Sequence, residues 1–292
     1  AEKRRETETY VVGYVLLTET VAFGSGVRVL RVVTLIYENL YCHVFPPADR
    51  FLALYSPGRL FITGRVSALN EMKRILSAVR RAVDDYGMIE DGDRIAVGVS
   101  AGKDSLTLVA ALAALRRFYP KRFELGAVTV DMGFEPPCDF SAVREFCEGL
   151  GVPYYVVPTE ISKIVFDVRK EKNPCGLCAK MRRGALHDEC VRLGYGKLAL
   201  GHHFDDVVDT FMLNLFYEGR LGSFSPVTFY EDKGLTMIRP LIYAPEKDIK
   251  YYVRHNPLPV VKSPCPADKH TERESMKRLL SELERNNKGL RH

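Results

Sequence analysis

Apolar positions change their period near Met72. Before it, β-branched and aromatic residues cluster in short runs, YVVGYVLL (10–17), VRVLRVVTLIY (27–37) and RLFITGR (59–65), set apart by Gly, Pro and Asp. Such runs predict strands. From Met72 the period is helical: MKRILSAVRRAVDDYGMI (72–89) places apolar residues three and four apart and meets a helix stop at Gly87. Strand and helix then alternate. RIAVGVS (94–100), FELGAVTVD (123–131), PYYVVPT (153–159), KLALGHH (197–203) and TMIRPLI (236–242) read as strands. SLTLVAALAALRRFY (105–119), FSAVREFCEGLG (140–151), DDVVDTFMLNLFYEG (205–219), PEKDIKYYVRH (245–255) and TERESMKRLLSELERNN (271–287) read as helices. This order predicts an α/β fold, a doubly wound parallel sheet covered on both faces, behind a short β-rich N-terminal extension. Ligands of such sheets bind at the carboxyl ends of the strands, here the loops after Val99, Val130, Thr159 and Leu200.

Residues 1–70 carry none of the chemistry described below. They are either a β-rich extension or a stretch ahead of the native start, since the first Met is Met72; residues 71–292 form the chemically equipped domain, ending in helices. At 46% hydrophobic and 27% charged residues the chain is neither collagen-like nor disordered. No apolar run approaches the ~20 residues of a membrane span, so no membrane partner is expected. The formal charge of +5 permits a nucleic-acid partner without arguing for one. Seven unevenly spaced Cys are unlike a disulfide framework, and the polar start AEKRRETETY is unlike a secretory signal. A reducing cytoplasm is the expected location.

After the first strand of the alternating region come Val99, Ser100, Ala101, Gly102, Lys103, Asp104 and Ser105, then a helix. Small residues let consecutive N–H groups and the helix N-terminus face an anion, while two hydroxyls and an ammonium add donors. The spacing is not that of a Walker A loop. The plain alternative is a capped strand-to-helix turn. The segment resembles the SGGxDS pyrophosphate loop of the adenine nucleotide α-hydrolase superfamily, the PP-loop ATPases with their Rossmann-like sheet, with Ala101 where the superfamily has its first Gly. That resemblance implies ATP bound by residues 99–105, with the backbone near Asp131 holding the adenine and ribose edge.

Gly201, His202, His203, Phe204, Asp205 and Asp206 stand between a strand and its helix. Adjacent carboxylates at a strand's carboxyl end repel unless a cation joins them, and Mg²⁺ bridging phosphate oxygens is the natural candidate. The alternative is N-capping by Asp205, with Asp206 opposing the helix dipole. GHHFDDVVDTFMLNLFYEG, followed by IRPL and PEKDI, resembles the GHHxDDxxET, FMNLFYGG, RPL and EKDI series of the tRNA 2-thiocytidine synthetases, a PP-loop branch, over roughly residues 72–285. Asp209 and Glu218 replace a Glu and a Gly of that series. The resemblance implies that Gly201, His202, Asp205 and Asp206 serve ATP and its Mg²⁺.

Cys175 and Cys178 open a helix in PCGLC, an arrangement suited to metal ligation or to a redox pair. Cys265 is the best candidate for a third ligand, whereas Cys138, Cys147 and Cys190 stand in packing contexts. The family resemblance makes Cys175, Cys178 and Cys265 the three ligands of a [4Fe–4S] cluster, whose open iron can present sulfide to an activated carbon. Structural zinc completed by His187 or His270, and a persulfide-forming pair, are the alternatives. Basic residues flank the cysteines on both sides: Lys163, Arg169, Lys170 and Lys172 before the pair, Arg182 and Arg183 after it, and Lys269, Arg273, Lys277 and Arg278 after Cys265. Arg182 and Arg183 are the expected RNA contacts.

The resemblance implies an ATP-dependent tRNA sulfurtransferase acting at position 32 of the anticodon loop. Lys103, Asp205, Cys175, Cys178 and Cys265 would be its catalytic residues. Its partners would be tRNA, ATP and a sulfur donor such as a cysteine desulfurase, and it has room for a homodimer. The rivals are another PP-loop reaction, such as 2-thiouridine synthesis, lysidine synthesis or amidation, and a non-enzymatic nucleotide-binding module.

Overall fold

The structure is a computed structural model. It describes residues 19–22, 28–31, 52–56, 59–62, 66–170, 174–262, 264–266 and 272–290, with side chains from Met72 onward. The chain divides into two compact units, Ala1–Asn70 and Glu71–His292. In the first, strands β1 (Glu19–Ala22), β2 (Arg28–Arg31), β3 (Leu52–Ser56) and β4 (Arg59–Ile62) pair antiparallel in sequence order. The run 10–17 and residues 32–37 of the next run lie outside the described residues, as do Cys42, Lys172, Lys269 and His270.

The second unit includes most of helix α1 (Val66–Asp85), which gives way to a turn with Gly87 at φ +56°. Its strands are β5 (Asp93–Gly98), β6 (Phe123–Asp131), β7 (Tyr154–Pro158), β8 (Lys197–Ala199), β9 (Val227–Tyr230) and β10 (Leu235–Ile238). Its helices are α2 (Lys103–Leu115), α3 (Ser141–Gly149), α4 (Pro174–Arg192), α5 (Phe204–Glu218), α6 (Glu246–His255) and α7 (Glu272–Asn286). A six-residue π-helical stretch, Lys163–Val168, precedes α4.

Strand order is β7-β6-β5-β8-β10-β9. The first five run parallel, but β9 pairs antiparallel with β10, which corrects the expectation of a wholly parallel sheet. A tight turn at 231–234, with Gly234 at φ +59°, joins β9 to β10 as a hairpin. The strand expected over 236–242 ends at Ile238, because Pro240 has no N–H for a sheet ladder and the chain turns there.

Alternate residues of the central strands face opposite cores. Ile95 and Val97 of β5, with Leu125 and Ala127 of β6, join α1, α2 and α6 on one face; Ala96, Val128 and Val130 pack against α4 on the other. Helix α2 is buried nearly all round, from Ser105 to Leu115, as its lack of a polar stripe requires. The chain proceeds outward from β5 to β6 and β7, then returns to place β8 on the other side of β5. That reversal opens a crevice beyond the carboxyl ends of β5 and β8, where α/β sheets bind their ligands.

Candidate functional site

The loop from Val99 to Ser105 leaves β5 and turns into α2. Ala101 is buried with φ +57°, a left-handed conformation costing a residue with a Cβ about 1 kcal/mol, so the position that departs from the SGGxDS pattern is one whose backbone favours glycine. Internal bonds fix the loop. Ser105 Oγ accepts from Ser100 N (3.2 Å) and donates to Gly102 O (3.0 Å), and Val261 N donates to Ala101 O (3.0 Å).

Lys103 Nζ lies 2.8 Å from both Asp104 carboxylate oxygens and 3.0 Å from Glu246 Oε1. Burial alone would lower the Lys103 pKa; the two carboxylates outweigh it and raise it. Burial would likewise raise Glu246, but Lys250 (2.8 Å) and Lys103 hold its carboxyl down at about 2. Sequence reading quoted PEKDI without giving Glu246 a role. Its position at the start of a helix was visible; its partner 143 positions earlier in the chain was not.

The second loop crosses the first closely. A Cβ on Gly201 would stand 3.1 Å from the backbone at Asp104 and Ser105, so only glycine lets β8 run into α5 at this point. Asp205 and Asp206 both work as helix caps, in a different arrangement from the one expected. Asp206 Oδ2 accepts His203 N (3.1 Å) and closes the start of α5, while Asp205 Oδ2 accepts Glu246 N (2.7 Å) and caps α6. The GHHFDD and PEKDI segments are thereby joined. His203 is buried with Nε2 3.5 Å from Asp206 and 3.8 Å from Asp104. Arg273 and Lys277, among the basic residues after Cys265, face the α5 carboxylates: Arg273 lies 3.7 Å from Asp206, and Lys277 3.9 Å from the fully buried Asp209.

A cavity of about 570 Å³ spans the crevice between the two loops and α4. Val99, Ser100, Asp104, Ser105, Gly201, His202 and Asp206 line one end, and Arg182, Arg183, His187, Tyr230 and Arg239 line the rest. A smaller cavity of about 80 Å³ lies beside it over β6, bounded by Asp131, Met132, Phe134, Cys138 and Pro264. Asp131 Oδ1 accepts Gly133 N (3.1 Å) and its carbonyl accepts Thr159 Oγ1 (2.7 Å), which fixes the turn after β6. Arg182 and Ser100 line both cavities. Among the described residues Arg182 has neither a hydrogen bond nor an ion pair, and burial lowers its pKa.

Cys175 is exposed at the start of α4; Cys178 and Cys265 are half-buried. Burial pushes the Cys178 thiol up, and the charges of Cys265 and Cys175 push it further. Among the described residues no three His, Cys, Asp or Glu side chains converge closely enough to hold a metal ion. As a donor set, three thiols suit a soft iron–sulfur centre, and Asp104 with Asp206 beside two hydroxyls suit a hard cation carried by phosphate. His187 cannot complete a zinc site with Cys178. Nine residues along α4 separate them by about 13.5 Å of helix axis, and His187 instead packs edge-on against Tyr230 at 4.7 Å. Cys147 and Cys190 are fully buried, with pKa values pushed up to about 12, as packing residues should be.

Known proteins share this arrangement. Residues 71–283 match the PP-loop domain family. A tRNA-cytidine(32) 2-sulfurtransferase of Geobacter sulfurreducens is 41% identical over 222 residues, covering 75% of this chain and 86% of that protein. Its counterpart from Pelobacter propionicus is 43% identical over 215 residues, covering 73% and 80%. Among solved structures, the U34-tRNA thiolase NcsA of Methanococcus maripaludis, determined with its [4Fe–4S] cluster, superposes with a TM-score of 0.62 at 26% identity, over 77% of this chain and 76% of that one. With a phosphate loop and a joined GHHFDD–PEKDI pair beside one crevice, and Cys175 and Cys178 at the start of α4, the chain belongs to the PP-loop family and, within it, to the tRNA-cytidine(32) 2-sulfurtransferases.

Proposed function

We propose that this protein uses ATP to activate C2 of cytidine 32 in tRNA and replaces its oxygen with sulfur. The observation that carries the reading is Arg182. It stands one helical turn beyond Cys178 and lines both the phosphate-loop cavity and the cavity over β6, so the sulfur site and the nucleotide site share one helix.

In this reading the loop N–H groups, Ser100, Ser105 and Lys103 bind the ATP phosphates, and the carboxylates of Asp104, Asp205 and Asp206 would hold a Mg²⁺ ion, which supplies positive charge to the phosphates when bound. The turn at Asp131 holds the adenosine edge. The O2 atom of the base attacks the α-phosphorus and pyrophosphate leaves, its charge met by Lys103. This step is needed because a pyrimidine carbonyl oxygen leaves poorly, whereas AMP leaves well. Sulfur at the sulfide level then bonds to C2, the C2–O2 bond breaks with its electron pair going to AMP, and the proton on sulfur is released. Cys175, Cys178 and Cys265 would hold a [4Fe–4S] cluster, which supplies a site for that sulfide when bound; a cysteine desulfurase is the expected source. Arg182 and Arg183 would meet the backbone of the anticodon loop.

The test is an anaerobic assay with tRNA, ATP and sulfide, reading thiolated nucleosides by mass alongside iron and acid-labile sulfide content. The wild type should form 2-thiocytidine and hold iron. Cys265→Ser should lose thiolation while binding ATP normally. An iron-free protein of full activity would remove the cluster from the mechanism. Pyrophosphate release without any thiolated product would favour another PP-loop reaction.

A further inference from the structure

The wall of the large cavity lined by α4, β10 and Phe224 carries polar groups that the nucleotide chemistry leaves without a task. Arg239 follows β10 and is 7% exposed. Its Nη1 donates to Ser225 O and to Thr228 Oγ1 (3.4 Å), its Nη2 to Met237 Sδ (3.1 Å), and its plane lies 4.9 Å from the Phe224 ring. No carboxylate pairs with it among the described residues, and its buried Nε–H has no acceptor. Burial lowers its pKa, with Tyr230 opposing that shift and the Arg183 cation adding to it. His187, 5% exposed, has its Nε2 buried without a partner on the same wall. His202 packs on Phe224 at 5.0 Å, with Nδ1 in the same condition.

Buried polar groups lacking a partner cost about 1–3 kcal/mol each, and native proteins retain them where something else completes them. The rings of Phe224 and Tyr230 and the guanidinium plane, beside donors that lack acceptors, match the way an extruded base is held, by stacking and by bonds to its Watson–Crick edge. A donor wall of this kind distinguishes the two pyrimidines. Cytosine presents acceptors at both O2 and N3, whereas uracil presents an N–H at position 3.

We propose that the wall formed by Arg239, His187 and Phe224 receives the target base and selects cytosine by donating to its N3, which leaves O2 free to meet the α-phosphorus. The inference rests on the reading of the protein as a tRNA cytidine thiolase, and it names the residues that would determine the choice of base. Arg239→Lys keeps the charge but loses the planar fork, and His187→Asn removes a ring with an unpartnered nitrogen.

The test uses the full-length protein and an anticodon stem-loop carrying pyrrolocytidine at the target position. Fluorescence should change when the wild type extrudes the base, and the change should fall to less than about one fifth in Arg239→Lys. With tRNA transcripts bearing cytidine or uridine at that position, Arg239→Lys should lower thiolation kcat/KM about 100-fold and the preference for cytidine about 10-fold, with His187→Asn reducing kcat/KM about 10-fold. Affinity for a non-hydrolysable ATP analogue should stay within about twofold in both variants. Wild-type fluorescence and base preference in both variants would overturn the inference. So would a loss confined to nucleotide affinity, which would make the wall a phosphate site. A wild type that extrudes the base but never thiolates it would sink the functional reading and leave the base receptor standing.

Discussion

At the phosphate-loop end of the cavity, charge is already matched inside the protein: Lys103 by Asp104 and Glu246, Glu246 by Lys250, and Asp206 by Arg273. Along α4 and β10 the opposite holds. Among the described residues Arg182 has no partner, Arg239 has no carboxylate, and His187 keeps an unpaired nitrogen. The first end is organised before any ligand arrives, as stabilisation of developing charge requires. The second is organised for a ligand and carries the stability cost of cations that only the ligand completes.

Substitutions at the two ends should therefore separate activity from stability. The largest effect is expected of Lys103→Met, which removes the cation facing the phosphates. Pyrophosphate release should fall about 100- to 1000-fold in a steady-state assay. Arg182→Met should reduce thiolation about 10- to 100-fold and yet raise the melting temperature, because a half-buried unpaired charge is replaced by an apolar chain of similar length. A melting temperature that fell instead would show that the contrast between the two ends is false.

Glu246→Gln should have a smaller effect, lowering kcat about 10-fold by loosening Lys103 while the Asp205 cap on α6 survives. It also has a pH signature. The Glu246 carboxyl is depressed from its ordinary 4.5 to about 2, so its contribution to stability is complete above pH 4.5 and is lost as pH falls towards 2. Urea midpoints should favour the wild type at pH 6, and that advantage should shrink steadily between pH 4.5 and pH 2. Ala101→Gly is the mildest change. Relief of the left-handed strain, partly offset by the freer unfolded chain, should stabilise the protein by about 0.5–1 kcal/mol, read as a rise of about 2 °C in thermal melting.

Much of this architecture could be read from local pattern. The alternation from β5 to α5, the turn from Val99 into α2 and the helix opened by Cys175 each depend on neighbours a few residues apart, and each stands as expected. Strand β9 escaped because VTFY is four residues with only partly buried positions, too short for a period to show. Residues 236–242 were read as one strand because their apolar character continues beyond the point at which Pro240 ends the pairing. The candidate site was legible as motifs but not as partnerships. Glu246 looked like an acidic residue in a helix's first turn, and Arg239 like one more cation in a basic chain. What distinguishes them is contact with residues remote in sequence, Lys103 and Phe224, which only the folded sheet supplies.

The hydrogen bond from Val261 to Ala101 links two chemistries mechanically. Cys265 lies four residues beyond Val261, so the backbone that would cradle ATP and the backbone that bears the third sulfur share one short tether. One residue inserted between Val261 and Cys265 would lengthen that link by up to about 3.5 Å while leaving every functional side chain in the chain.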